Sequence, residues 1–140
     1  MASECCSSNK ATTMVVACSG ASNLGQIANQ AAVELAREGF CKMFCLAAVG
    51  AHINNFVFSA QNVNLVAIDG CPVGCSMRLL EHADVPVGSY VVVQNLRIEK
   101  RTDSLFDTDE VEKVKAEVKN ISNSANCPPK DKTLPCSCCG

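Results

Sequence analysis

At 140 residues the chain is long enough for one domain with its own core, and 12 Lys and Arg against 14 Asp and Glu leave a formal net charge of −2. So balanced a charge, with one Tyr and no Trp, points away from nucleic acid and from anionic membrane surfaces. The longest apolar stretch, Met43 to Ile53, is too short to span a bilayer, and Met1-Ala2-Ser3-Glu4-Cys5-Cys6 lacks the basic start and apolar core of a signal peptide, so a cytoplasmic protein is expected.

Eleven cysteines in such a protein need a reason. An odd number excludes complete pairing within one chain, and a reducing compartment disfavours a disulfide framework. Metal binding or redox chemistry is then the default, set against the plainer role of small buried hydrophobes. Cys41, which has no partner in the pattern, is assigned the plainer role first.

Residues 1–11 read as a mobile polar arm carrying Cys5 and Cys6. Thr13 to Ala17 predicts a first strand, and Cys18-Ser19-Gly20-Ala21-Ser22-Asn23 a turn of small residues. Asn23 with Gln26 suggests a capping-box start for a helix whose apolar positions, Leu24, Ile27, Ala28, Ala31, Ala32, Leu35 and Ala36, have helical spacing, with Gly39 as its stop. Met43 to Ala48 predicts a second strand carrying Cys45. A second helix is expected from Gly50, with His52 in its first turn and Ile53, Phe56, Val57 and Ala60 at helical spacing.

Leu65 to Ile68 reads as a buried third strand that ends abruptly in Asp69-Gly70-Cys71-Pro72-Val73-Gly74-Cys75. Pro72 suits a first helical position with Cys71 as N-cap, so a third helix is expected from Pro72 to about Ala83, burying Met77 or Leu79 and Leu80. Tyr90 to Val93 predicts the fourth strand. Leu96 to Asp107 is charged and has no clear assignment. Asp107 with Glu110 caps a last helix bearing Val111, Val114, Val118 and Ile121 on one face.

Strands alternating with helices imply an α/β fold: a single Rossmann-like or flavodoxin-like three-layer domain over residues 12–122, its parallel four-stranded sheet ordered 2-1-3-4. Residues 123–140 have no apolar face and read as a flexible Cys-rich tail with Cys127, Cys136, Cys138 and Cys139. Such spacing suits soft ions, zinc or copper(I), with or without Cys5 and Cys6; idle thiols on a loose tail are the other reading.

Ligands in these sheets lie beyond the carboxyl ends of the strands, where the winding reverses. That crevice receives Cys18 and Cys71 from neighbouring strands, Cys75 one helical turn beyond Cys71, and Cys45 from the second strand. Four thiolates suit a tetrahedral zinc site, and the same set suits an iron–sulfur cluster. With Cys18 and Cys45 as ordinary core residues, neither would form. A thiol-based redox or sulfur-carrier protein is the competing class, with Cys71 as attacking thiol and Cys75 as resolving thiol. His52 reads as a support for the site or a helix cap rather than a ligand, His82 as solvated, and Asp69 as a turn residue rather than a base. The Ser19–Asn23 loop is neither the dinucleotide fingerprint nor a P-loop.

Four stretches go further together than any one motif: Ala17-Cys18-Ser19-Gly20-Ala21-Ser22-Asn23-Leu24-Gly25-Gln26, Met43-Phe44-Cys45-Leu46-Ala47, Gly50-Ala51-His52-Ile53, and Ile68 through Cys75. On these, residues 14–100 resemble the family of small proteins named DGC after a central Asp-Gly-Cys, here Asp69-Gly70-Cys71. The resemblance implies zinc held by four cysteines, which fall on Cys18, Cys45, Cys71 and Cys75, in a structural or metal-handling role. It implies no reaction or protein partner, and it does not reach Cys5, Cys6 or the tail.

Overall fold

The computed structural model describes residues 12–103 and 105–124. Among them the elements run β1 (Thr13–Ala17), α1 (Asn23–Arg37), β2 (Lys42–Met43), α2 (Leu46–Gly50), α3 (Asn54–Gln61), β3 (Asn64–Asp69), α4 (Cys75–His82), β4 (Ser89–Val92), a 3-10 turn (Val93–Leu96) and α5 (Thr108–Ser124). The four strands form one sheet in the order β2-β1-β3-β4, every pairing parallel, as strand–helix alternation predicts. Val15 stands opposite Val66, Ala17 opposite Ile68 and Asp69 opposite Val92, so β1, β3 and β4 end level with one another.

The pleat sorts the core into two halves. Val15, Val66, Ile68 and Val91 pack against Leu24, Ile27 and Leu35 of α1 and Val111, Val114 and Val118 of α5. Val16, Leu65 and Ala67 point the other way, against Val49 of α2, Ala60 of α3 and Leu80 of α4. The result is the expected three layers. Among the described residues no helix is long and apolar enough to cross a membrane.

Several local expectations are corrected. Ser22, not Asn23, is the N-cap of α1, and it makes no side-chain capping bond. A missing cap costs about 1 kcal/mol, against about 2 kcal/mol for each large side chain that α1 buries, so packing decides where the helix starts. Asn23 is buried and holds a distant segment instead. Its Nδ2 donates to the Glu99 carbonyl at 2.9 Å, and its Oδ1 accepts the Arg101 N–H at 2.6 Å. Gln26 reaches back to the Gly20 carbonyl, 2.8 Å away.

The strand expected over Met43 to Ala48 is two residues long. Beyond it the Phe44 N–H still meets the Val15 carbonyl at 2.8 Å, and the chain then turns into α2. A short apolar run does not distinguish strand from helix, and Leu46-Ala47-Ala48 are good helix formers that gain packing against α4. Gly50 therefore ends a helix rather than starting one. His52 lies between α2 and α3 with φ of 54°, not in a first helical turn.

The third predicted helix starts at Cys75, not at Pro72 with Cys71 as cap. Cys71 C=O accepts the Gly74 N–H at 3.1 Å, closing a turn over Pro72-Val73, and Gly74 is left-handed at φ 68°, ψ 44°. A left-handed residue cannot sit inside a right-handed helix, so α4 begins after it. Elsewhere the caps behave as expected: the Asp107 N–H donates to Glu110 Oε2 at 3.0 Å, just before α5. The expected arm at 1–11, most of the tail, and Cys5, Cys6, Cys127, Cys136, Cys138 and Cys139 lie outside the described residues.

Candidate functional site

β1 and β3 are neighbours, so the loops leaving their carboxyl ends meet beyond the sheet. The Cys18 N–H donates to the Ile68 carbonyl at 2.9 Å, fixing Cys18 one residue past β1. The loop then closes onto the first turn of α1, and Gly70 passes directly against it. A Cβ on Gly70 would lie 2.8 Å from the Gly25 nitrogen, and one on Gly25 would lie 2.5 Å from the Gly20 nitrogen. Backbone pressed this closely on backbone requires glycine at both positions. This contact sets the Cys18 loop beside the Cys71 loop.

Asp69, buried at the end of β3, organises the second loop. Its Oδ1 accepts the Ser76 N–H at 2.8 Å; its Oδ2 accepts the Met77 N–H at 3.1 Å and the Tyr90 hydroxyl at 3.0 Å. The carboxylate thus binds the otherwise unpartnered donors at the start of α4. Tyr90 is pushed up from its ordinary pKa, first by burial and then by donating to Asp69. Asp69 is therefore a structural acceptor, although its backbone partners lie in the first turn of the helix rather than in the turn just after the strand.

Between these loops lies a cleft of about 400 Å³. Cys18, Cys71 and Cys75 line it, with Lys100 and Thr102 on a third side. Cys18 and Cys71 are half-buried and Cys75 is exposed. Cys45, the N-cap of α2, is exposed and is not part of the lining. Burial pushes the Cys18 thiol above its ordinary pKa; Cys75 and Asp69 add to the shift, while a backbone hydrogen bond at Gly20 opposes it. The Lys100 ammonium stands 3.9 Å from Cys71 Sγ. Three sulfurs and a cleft open to solvent suit a soft ion, and a cation there would relieve the repulsion that Cys18 feels from Cys75 and Asp69. Among the described residues, no three His, Cys, Asp or Glu side chains stand gathered as a finished metal site.

Lys100 and Thr102 come from the stretch that sequence patterning leaves unassigned. They reach the cleft because Asn23 clasps residues 99–101 onto the start of α1, and the polar residue at a helix start is the one sequence signal of that clasp. His82 is not simply solvated: its Nδ1 lies 2.9 Å from His52 Nε2. Cys41 is buried among the residues between α1 and the sheet, with its pKa pushed up to about 11 by burial. It is the core cysteine that the pattern predicts.

Residues 14–118 match the family model described as the DGC domain. The chain is also 29% identical over 109 residues to "Anaerobic and virulence modulator AnvM" of Pseudomonas aeruginosa, covering 77% of this chain and 83% of that protein. No solved structure matches it significantly. The matched segment runs from β1 into α5 and contains the cleft with its three thiols, and on that match the chain belongs to the DGC domain family.

Proposed function

We propose that the chain holds a zinc ion beyond the strand ends through Cys18, Cys71 and Cys75, with Cys45 as fourth donor, in a structural or metal-handling role. The observation that carries this reading is the convergence of three thiols, from two neighbouring strand ends and a helix start, on one cleft. A change of χ1 rotamer moves a cysteine sulfur by about 3 Å, so closing the set around an ion needs side chains to turn rather than the fold to change. Cys45 is supported by the packing of α2 on α4. A Cβ at Gly50 would touch Leu79, and His52 touches His82, so the contacts advance in the same direction along both helices. Cys45 stands just before α2, and α2 packs on α4, the helix that Cys75 begins. Four thiolates leave no open position for water, which disfavours hydrolytic chemistry at the metal. A centre that depends on reduced sulfur also suits a relative named as an anaerobic modulator.

Elemental analysis of the full chain purified without oxygen tests this. Zinc is expected, with less bound in Cys71→Ser and Cys18→Ser and no change in Cys41→Ser. Iron with inorganic sulfide and a brown colour would replace zinc by a cluster. Unchanged metal in both ligand variants would exclude the cleft. The approach of Lys100 to Cys71 favours a second reading, a thiol that reacts rather than binds. Its signature is metal-free protein in which Cys71 outpaces Cys45 and Cys75 in native alkylation.

A further inference from the structure

The only two histidines of the chain, His52 and His82, meet one another. We propose that they form a second, solvent-open site for a borderline transition-metal ion such as Ni²⁺, Cu²⁺ or Zn²⁺, separate from the thiol cleft. His52 Nε2 and His82 Nδ1 are 2.9 Å apart, with ring centroids 5.0 Å apart and ring planes at 74°. Two imidazole nitrogens in cis positions on a square or octahedral ion are separated by about 2.9 Å, and on a tetrahedral ion by about 3.3 Å, for metal–nitrogen bonds of ~2.05 Å. The rings need only swing their lone pairs toward a common point. The ring that donates in this contact carries its proton on its other nitrogen once the ion binds, so that both facing nitrogens offer lone pairs to the metal.

The backbone sets this meeting. The His52 N–H donates to the Val49 carbonyl at 2.9 Å and the Ile53 N–H to the Ala48 carbonyl at 3.1 Å, so the left-handed His52 sits in a closed turn after α2. His82 is the last residue of α4. The two helices are packed so tightly that a Cβ on Gly50 would lie 2.6 Å from Leu79 Cδ1. Helix packing therefore brings the rings together. Both histidines are exposed, so water completes the coordination sphere. His82 stands at the opposite end of α4 from Cys75, about 10 Å along the axis at 1.5 Å per residue, which separates this ion from the cleft.

With two histidines in the chain, imidazole NMR signals of the full-length protein are assignable by single substitution. Paramagnetic Ni²⁺ is expected to broaden the His52 and His82 ring signals together, over one concentration range. In His82→Gln, broadening of His52 should need about tenfold more nickel or greater, since the second donor acts at high effective concentration, and His52→Gln should shift His82 equally. The thiols compete for nickel alike in wild type and variants, so the comparison reads the histidines. The proposal is overturned if the two signals broaden over separate ranges, if neither responds, or if either variant leaves the remaining histidine's response unchanged. Amide spectra of both variants verify that the fold persists.

Discussion

Asp69 shows how much of the site rests on one side chain. Its carboxylate accepts two backbone N–H groups from α4 and the Tyr90 hydroxyl, all from within the protein. Asp69→Ala leaves the buried Ser76 N–H and the Tyr90 hydroxyl without that acceptor, and an orphaned buried donor costs about 1–3 kcal/mol. A loss of about 2–4 kcal/mol in urea unfolding is expected, with Asp69→Asn intermediate because it keeps one acceptor oxygen. A loss below 0.5 kcal/mol, roughly the size of a neutral surface change, would mean that water replaces the carboxylate. Gly70 acts by having no side chain. Gly70→Ala drives a methyl into the backbone of Leu24 and Gly25, with contacts of 2.8 Å on either side of that peptide bond, where nothing flexible can yield. About 1–3 kcal/mol of destabilisation is expected, read by the same unfolding curves, and an unshifted midpoint would show that α1 can move off the sheet. Both residues belong to the Asp-Gly-Cys stretch. Its sequence announces an abrupt strand end, but the acceptor role of Asp69 depends on Tyr90, 21 positions on, which no local pattern reveals.

Between elements, α1 and α5 are held by a charged clasp over their apolar seam. Lys115 of α5 is almost fully covered and its ammonium reaches Glu34 at 3.1 Å and Glu112 at 2.7 Å, with Glu38 a third partner; Lys119 also pairs with Glu38 at 2.7 Å. Glu34 is lowered from its ordinary value of 4.5 by hydrogen bonds from Gln30 and Lys115, Glu38 by hydrogen bonds from Lys115 and Lys119. Lys115 is raised above its ordinary 10.5 by Glu112 and Glu38 first, and by Glu34 as well. Carboxylates lowered by folding contribute stability above pH 4.5, lost as pH falls through their folded values. A lysine raised by folding contributes below pH 10.5, and the contribution is lost as pH rises through its folded value. The clasp is therefore fully formed between these limits. Lys115→Met should lower the melting temperature at neutral pH and flatten its fall on acidification below pH 4.5; parallel acid curves for wild type and variant would remove the clasp from the stability of the fold. The apolar faces under it are legible in the sequence, because 3.6-residue spacing along α1 and α5 has no competing interpretation. The run from Met43 to Ala48 is not: six apolar residues fit either a strand or a helix, and contact with α4 decides. The start of α4 escapes local pattern for a related reason, since Pro72 favours a first helical turn while the left-handed Gly74 delays it.

For the whole molecule, alternation and right-handed crossovers limit the topologies to a few, and the favoured order among them, 2-1-3-4, is the one that sets residues 18 and 71 on neighbouring strand ends. What sequence patterning leaves out are meetings across long separations: Lys100 with the cleft through Asn23, and His52 with His82 through the packing of α2 on α4. The same global view gives a test of whether a metal in the cleft supports the fold or is only carried by it. Cys41 lies in the core under α1, remote in role from the cleft, where packing shields its sulfur and burial pushes its pKa up to about 11. Its alkylation in the native protein therefore reports opening of the core. An ion bound only by the folded state at a free concentration of 100 times its Kd stabilises by about 2.7 kcal/mol, which keeps the open fraction about 100-fold lower. Chelation should then raise the rate of Cys41 modification by about that factor, even though the chelator acts at the strand ends, with the rate followed by mass spectrometry of the Cys41 peptide. Should the metal leave while the Cys41 rate stays constant, ion binding is uncoupled from folding. A structural role for a metal in the cleft would then be excluded.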